Sequence, residues 1–218
     1  MKRPLLIIFL VLFVDQTLKF WVKTNMFLQQ EHAILGDWFI IHFTENNGMA
    51  FGLEFAGSAG KLFLTLFRVA AAVGGFYYLM YSVKNKQHPG FIICIALILA
   101  GAVGNIIDSI FYGVLFSDST YQLAQFLPVE GGYSSLFYGK VVDMLYFPLL
   151  EGHLPQWLPV WGGEHFIFFR PVFNIADSSI TIGVLSILIF QSRFFKSRSE
   201  EGNESLSPAT SGEADSVS

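Results

Sequence analysis

Charge is scarce in this sequence: only 14% of its 218 residues are Asp, Glu, Lys or Arg, while 53% are hydrophobic. A water-soluble domain of this length has no core large enough to hide that much apolar surface, so a soluble fold is excluded and lipid becomes the solvent. Cysteine is nearly absent. The single Cys94 cannot form an internal disulfide, and the five histidines (His32, His42, His88, His153 and His165) have neither paired spacing nor companion cysteines. No metal site is legible, and no cofactor is expected. Of the formal net charge of −4, much sits after the last apolar run, at Glu200, Glu201, Glu204, Glu213 and Asp215, which leaves the remainder nearly neutral.

What is abundant is long apolar sequence. Crossing a bilayer takes about 20 residues in a helix, and four runs are long enough: Leu5 to Val22, Leu62 to Tyr81, Phe91 to Tyr112 and Val172 to Phe195. The first follows Lys2 and Arg3 as a secretory signal would. No small-residue cleavage pattern succeeds it, and it reads as a retained span. Lys2 and Arg3, Lys84 and Lys86, then Arg193, Lys196 and Arg198 all flank the spans on one common side, which the positive-inside rule assigns to the cytoplasm together with both termini. Two long loops, Lys23 to Lys61 and Gly113 to Pro171, then lie outside. The stretch Asp37 to Phe43 and the turn Glu45 to Gly48 suggest a small sheet at the membrane surface. The expected fold is an all-α membrane protein of four transmembrane helices, carrying a small extracytoplasmic β-sheet and long outer loops. Residues 1–198 form one membrane domain in this reading. Residues 199–218 are rich in Ser, Glu and Gly and are read as a disordered cytoplasmic tail.

Ionisable residues inside a span cost roughly 2.5–3.5 kcal/mol each on insertion scales, so each needs a reason. Asp15 and Lys19 stand four apart on one helix face, where the plain reading is a structural ion pair. Asn105 with Asp108, and Asn174 with Asp177, each stand three apart and share a face. Taken singly, such pairs are polar glue between helices. Depth argues for more, because Asp15, Asp108 and Asp177 all fall toward the outer ends of their spans, at one level of the bilayer. Arg68, also in the outer half, is most simply a counter-ion for Asp108 or Asp15.

Asp143 lies outside the spans but between Val142 and Met144, an apolar setting that is unusual for a carboxylate. Two acids brought together in a poorly solvated place can share a proton, so that one acts as base and the other as acid. Such a pair could activate water against a peptide carbonyl without a metal or a nucleophilic side chain. Cys94 is toward the cytoplasmic half and reads as packing. Ser178 and Ser179 have no evident base. A proton-coupled transporter and a non-enzymatic membrane scaffold are the competing readings. No internal repeat supports the first, and exchanging Asp143 or Asp177 for Asn separates the second from a protease.

Five segments, in this order on a four-span scaffold, resemble lipoprotein signal peptidase (signal peptidase II): Asp15 with Gln16 and Lys19; Asn46 to Phe51; Gly104 to Asp108; Val141 to Asp143; and Phe173 to Asp177. The resemblance implies an aspartyl endopeptidase of the bacterial cytoplasmic (inner) membrane, with its active site near the outer face, that cuts a prolipoprotein before a diacylglyceryl-modified cysteine. It implies Asp143 and Asp177 as the catalytic pair. Asn46, Gly48, Asn105 and Asn174 would line or support the site, and Asp15, Lys19 and Asp108 would hold the structure around it. The expected partners are the lipid-modified prolipoprotein and membrane lipid, with no nucleic acid, and the chain is expected to act as a monomer. The family commonly carries arginine after the aspartate of its third motif, where this chain has Ser109, so Arg68 or Arg170 is expected to pair with Asp108 instead. The stretches Val114 to Lys140 and Leu149 to Phe169 are longer than the family pattern and read as outer insertions, with a lid as their suggested role.

Overall fold

The computed structural model describes residues 1–47, 57–148, 150–153, 155–157, 163, 165–168 and 171–195. Gly48, Trp161, Arg170 and the tail 199–218 therefore lie outside the described residues. Among the described residues four helices are long and apolar enough to cross a membrane: α1 (Lys2–Asn25), α2 (Gly57–Lys84), α3 (Pro89–Leu115) and α4 (Ile175–Phe194). Each of the first three overruns its expected span at both ends, because polar residues such as Lys23, Ser58 and Lys84 continue the helix past the apolar stretch. The fourth begins later than expected, since Asn174 takes an extended conformation and caps the helix.

α1 is apolar outside and largely polar within, the inverse of a helix in a soluble bundle. On α1 the side chains of Phe9, Leu10 and Phe13 are exposed, while Asp15, Lys19 and Lys23 are fully buried. Those three recur every fourth residue and form one stripe facing the other helices. Close approach of α3 to α4 rests on glycine. A Cβ at Gly101 would lie 2.2 Å from the Ala176 carbonyl oxygen, and one at Gly104 would lie 2.9 Å from Asp15 Oδ2. Near its outer end α3 widens into a π-helical turn at Asp108–Tyr112, a feature often found at functional sites.

Between α1 and α2 the chain makes two strands, β1 (Glu31–Leu35) and β2 (Phe39–Asn46), and β3 (Val141–Tyr146) completes an antiparallel sheet in the order β1-β2-β3. A second antiparallel pair joins β4 (Leu150–His153) to β5 (His165–Phe168) within the later insertion. Strand β3 is buried along nearly its whole length. Val142 and Met144 enter an apolar cluster with Val22, Met26, Phe43, Tyr112 and Phe116. Strand alternation turns Asp143, between them, to the opposite face.

The segment from Phe116 to Lys140 is fastened to the body. Phe116 and Ala124 belong to that same cluster, and backbone hydrogen bonds run from Ala124 N to Lys23 O, from Ser134 N to Gly113 O and from Gly139 N to Ser109 O. Val114 and Leu115 are the last residues of α3. This insertion is packed structure, and its aromatic residues supply the reason: Phe116, Phe126 and Phe20 meet edge to face at centroid distances of 5.2–5.5 Å.

Candidate active site

Strand β3 delivers Asp143 and is gripped on both edges. On one side it pairs with β2, with Thr44 opposite Asp143 and Asn46 opposite Val141. Asn46 is thus two residues along from the direct partner of Asp143, on the same face and within diagonal reach. Its side-chain amide donates to Asp143 Oδ2. On the other side Phe173 bridges to Leu145, its N–H donating to Leu145 O at 3.1 Å and its carbonyl accepting from Leu145 N at 2.7 Å. That bridge sets the next residue, Asn174, beside Asp143.

Asn174 serves two acids at once. Its Oδ1 accepts the Asp177 backbone N–H at 2.8 Å, and Asp177 Oδ2 accepts the Asn174 backbone N–H at 3.4 Å, forming a reciprocal cap at the start of α4. Because an N–H must face a carbonyl oxygen, the amide's orientation is fixed, and its Nδ2 points the other way. There it donates to Asp143 Oδ1 at 2.7 Å and lies 3.1 Å from Asn105 Oδ1.

Asn105 is oriented by the same logic. Lys19 can only donate, so the Asn105 carbonyl oxygen faces its ammonium at 3.0 Å, and Nδ2 is left to donate to Asp177 Oδ1 at 2.7 Å. Lys19 Nζ also lies 2.9 Å from Asp15 Oδ2 and 2.8 Å from Asp108 Oδ2, which gives an acceptor to each of its hydrogens. Gln16 ties the two acids together, donating to Asp108 Oδ1 at 2.9 Å and lying 3.1 Å from Asp15 Oδ2. Backbone N–H groups add to this, Asp15 Oδ1 accepting from Ala176 at 2.9 Å and Asp108 Oδ2 also accepting from Val142 at 3.3 Å. This is the arrangement a buried ionic group requires, with every carboxylate oxygen answered.

The expected residues thus converge: Asp15, Lys19, Asn46, Asn105, Asp108, Asp143, Asn174 and Asp177 belong to one connected network. Lys19 pairs with Asp108 as well as with Asp15, and Arg170, the alternative to Arg68 as an expected partner of Asp108, lies outside the described residues. Among the carboxylates of the network it is Asp177 whose charge acts on Arg68. Ser109, where the family commonly has arginine, donates its hydroxyl to the Asn105 carbonyl at 2.8 Å. Ser178 and Ser179 are spent on backbone carbonyls, of Asn174 at 2.9 Å and Leu97 at 2.7 Å. Burial, with the charge of Asp177 second, pushes the Asp143 carboxyl up to about 7.

Sequence reasoning missed a second polar cluster next to this one. Lys23 is fully buried and donates to Glu45 and, at 2.8 Å, to Ser119 Oγ. Its ammonium also lies 4.7 Å from the centroid of the Tyr133 ring. Extending the Asp15–Lys19 spacing one step further along α1 would have found it.

A family model described as signal peptidase (SPase) II matches residues 7–194. The chain belongs to the signal peptidase II family. It is 55% identical over 184 residues to a lipoprotein signal peptidase of Porphyromonas gingivalis, covering 84% of this chain and 80% of that protein. It is 38% identical over 183 residues to one of Amoebophilus asiaticus, covering 83% of this chain and 73% of that one. A solved bacterial membrane enzyme, determined by the in meso method at 2.3 Å, superposes with a TM-score of 0.56 at 22% identity, covering 98% of this chain and 96% of that chain; this is a likeness of fold. Another, at 1.9 Å, gives a TM-score of 0.55 at 25% identity, covering 87% and 92%. Membership of this family and the four spanning helices make the protein a multi-pass bacterial membrane protease.

Proposed function

We propose that the protein removes the signal peptide of diacylglyceryl-modified prolipoproteins, cutting before the lipidated cysteine, and that it does so as an aspartic endopeptidase with Asp143 and Asp177 as its catalytic pair. The observation that carries the reading is the joint clamp of Asn174 and Asn105, which holds both carboxyls on one amide network.

Asp177 is the base. It receives the Asn105 amide N–H on one oxygen and the Asn174 backbone N–H on the other, in the first turn of α4. Asp143 is the acid, since burial and the neighbouring charge favour its protonated form. Asn46 can serve either state, because an amide donates to a carboxylate or accepts from a carboxyl group. Water bound between the pair gives a proton to Asp177 as its oxygen attacks the scissile carbonyl, and Asp143 protonates the carbonyl oxygen. Collapse of the gem-diol returns a proton to Asp143 and transfers the one on Asp177 to the leaving amine, so both acids regain their starting states. The bias of lysine and arginine to one side of the spans supports cytoplasmic termini and a pair near the outer face of the membrane, level with a cysteine whose acyl chains remain in lipid.

The test is cleavage of a lipid-modified precursor and its unlipidated counterpart by purified protein. Wild type should release the signal segment from the first only. Asp143→Asn and Asp177→Asn should each lose at least about a thousandfold in turnover while keeping the wild-type helical spectrum. Cleavage persisting in either variant would remove that residue from the pair.

A further inference from the structure

Beside the network, on the side of the sheet and the packed insertion, lies a cavity of about 340 Å³ whose walls include Asn47, Ser58, Lys61, Asp118, Tyr133 and Lys140. It is joined to the candidate site through the backbone. Asn47 follows the residue whose amide meets Asp143, and Lys140 immediately precedes β3. Its polar groups are ammonium, phenol, hydroxyl, amide and the Asp118 carboxylate, a set able to hydrogen-bond a polar chain.

The cations in this wall are held in place. Lys61 Nζ donates to Asn47 Oδ1 and to the Tyr138 carbonyl, both at 2.8 Å. Lys140 Nζ stands 5.7 Å from the centroid of the Tyr133 ring and 3.5 Å from Glu45 Oε2, and Glu45 is already the partner of the buried Lys23. Among the described lining residues the one carboxylate is Asp118, whose Oδ1 is engaged by the Thr120 backbone N–H at 2.8 Å.

A precursor threaded through the site has its apolar signal segment in lipid and its polar mature segment leaving on the sheet side. We propose that this cavity receives the first residues on the mature side of the scissile bond and selects for acidic side chains among them through Lys61 and Lys140. The inference rests on the reading of Asp143 and Asp177 as a peptidase pair.

The experiment uses two lipid-modified precursors that differ only in carrying Asp-Asp or Lys-Lys at the second and third positions from the cysteine. Wild type should cleave the acidic precursor with a kcat/KM about fivefold higher, the scale of a partly exposed charge pair. Lys61→Gln and Lys140→Gln should each bring that ratio toward one, and Lys140→Arg should restore it. Equal kcat/KM for the two precursors in wild type, or an unchanged ratio in both Gln variants, overturns the proposal. If wild type cuts neither precursor, the peptidase reading itself has failed. If phosphatidylglycerol vesicles, compared with phosphatidylcholine vesicles, raise turnover of both precursors alike in wild type but not in Lys140→Gln, the cavity serves a lipid phosphate and the proposal falls.

Discussion

At the scale of single residues, Asn174 combines two duties that substitution can separate. Serine caps a helix about as well as asparagine, but its hydroxyl is too short to span from the Asp177 N–H to Asp143. Asn174→Ser should therefore keep the cap but cost about 1–3 kcal/mol, since Asp143 and the Val142 carbonyl lose a buried donor, while turnover falls by about ten- to a hundredfold, read by thermal denaturation in detergent and by precursor cleavage. Asp143 carries the pH dependence. Its carboxyl stands at about 7 in the fold and near about 4 in an unfolded chain, so the native protein keeps a proton that the unfolded chain gives up. That contribution to stability is complete below about pH 4 and is lost as pH rises through about 7. Melting temperature should fall over that window in wild type, and Asp143→Asn should flatten the slope. Turnover should decline on the alkaline side of about 7 as the acid is lost. Most of the pair's surroundings were legible in the sequence, because Asp and Asn three apart in an apolar run are costly and announce themselves. Lys23 was not, since it sits where the first span runs out and looks like an interfacial lysine that snorkels to water.

At the scale of elements, the strut from Lys23 to Glu45 links α1 to the end of β2, one residue before Asn46. Lys23→Met should destabilise by about 1.5–3 kcal/mol, because it takes the closer of two cations from a buried carboxylate and leaves it only Lys140 at 3.5 Å, and adding Glu45→Gln should recover part of the loss. Thermal melting of the two variants checks this. Gly101→Ala should cost about 1–3 kcal/mol, since the new methyl would meet the Ala176 carbonyl and push apart α3 and the first turn of α4. The helices were readable from length and apolarity alone, to within a turn at most ends. The pairing of β3 was less so. Val141 to Tyr146 is buried on both faces and shows none of the alternation that marks a half-exposed strand, and its partners are distant in sequence. The π-helical turn at Asp108 had no signal in composition at all, because it answers to the position of Lys19 and the Val142 N–H.

At the scale of the whole molecule, the spanning helices among the described residues are four, an even number, so the proposed topology sets both termini on one side. On a Cys94→Ala background, a membrane-impermeant maleimide applied to intact cells should label Tyr121→Cys, which is 93% exposed in the outer insertion, and spare Lys86→Cys between α2 and α3. Reversed labelling would invert the topology. The packed insertion also changes what its removal should do. Deleting residues 116–140 takes Phe116 and Ala124 from the core and Ser119 and Tyr133 from around Lys23, so loss of folding is expected rather than a faster, uncovered enzyme. One property of the network reaches beyond the protein itself. The three side chains that hold the acids, Asn46, Asn105 and Asn174, are amides, which neither gain nor lose a proton at any acidity a bacterium survives. Histidines in those three places would gain or lose donors with each change of acidity, whereas these amides offer the proposed pair the same hydrogen bonds throughout. Titration enters only through carboxylates, those of the pair and those of Asp15 and Asp108, which hold Lys19.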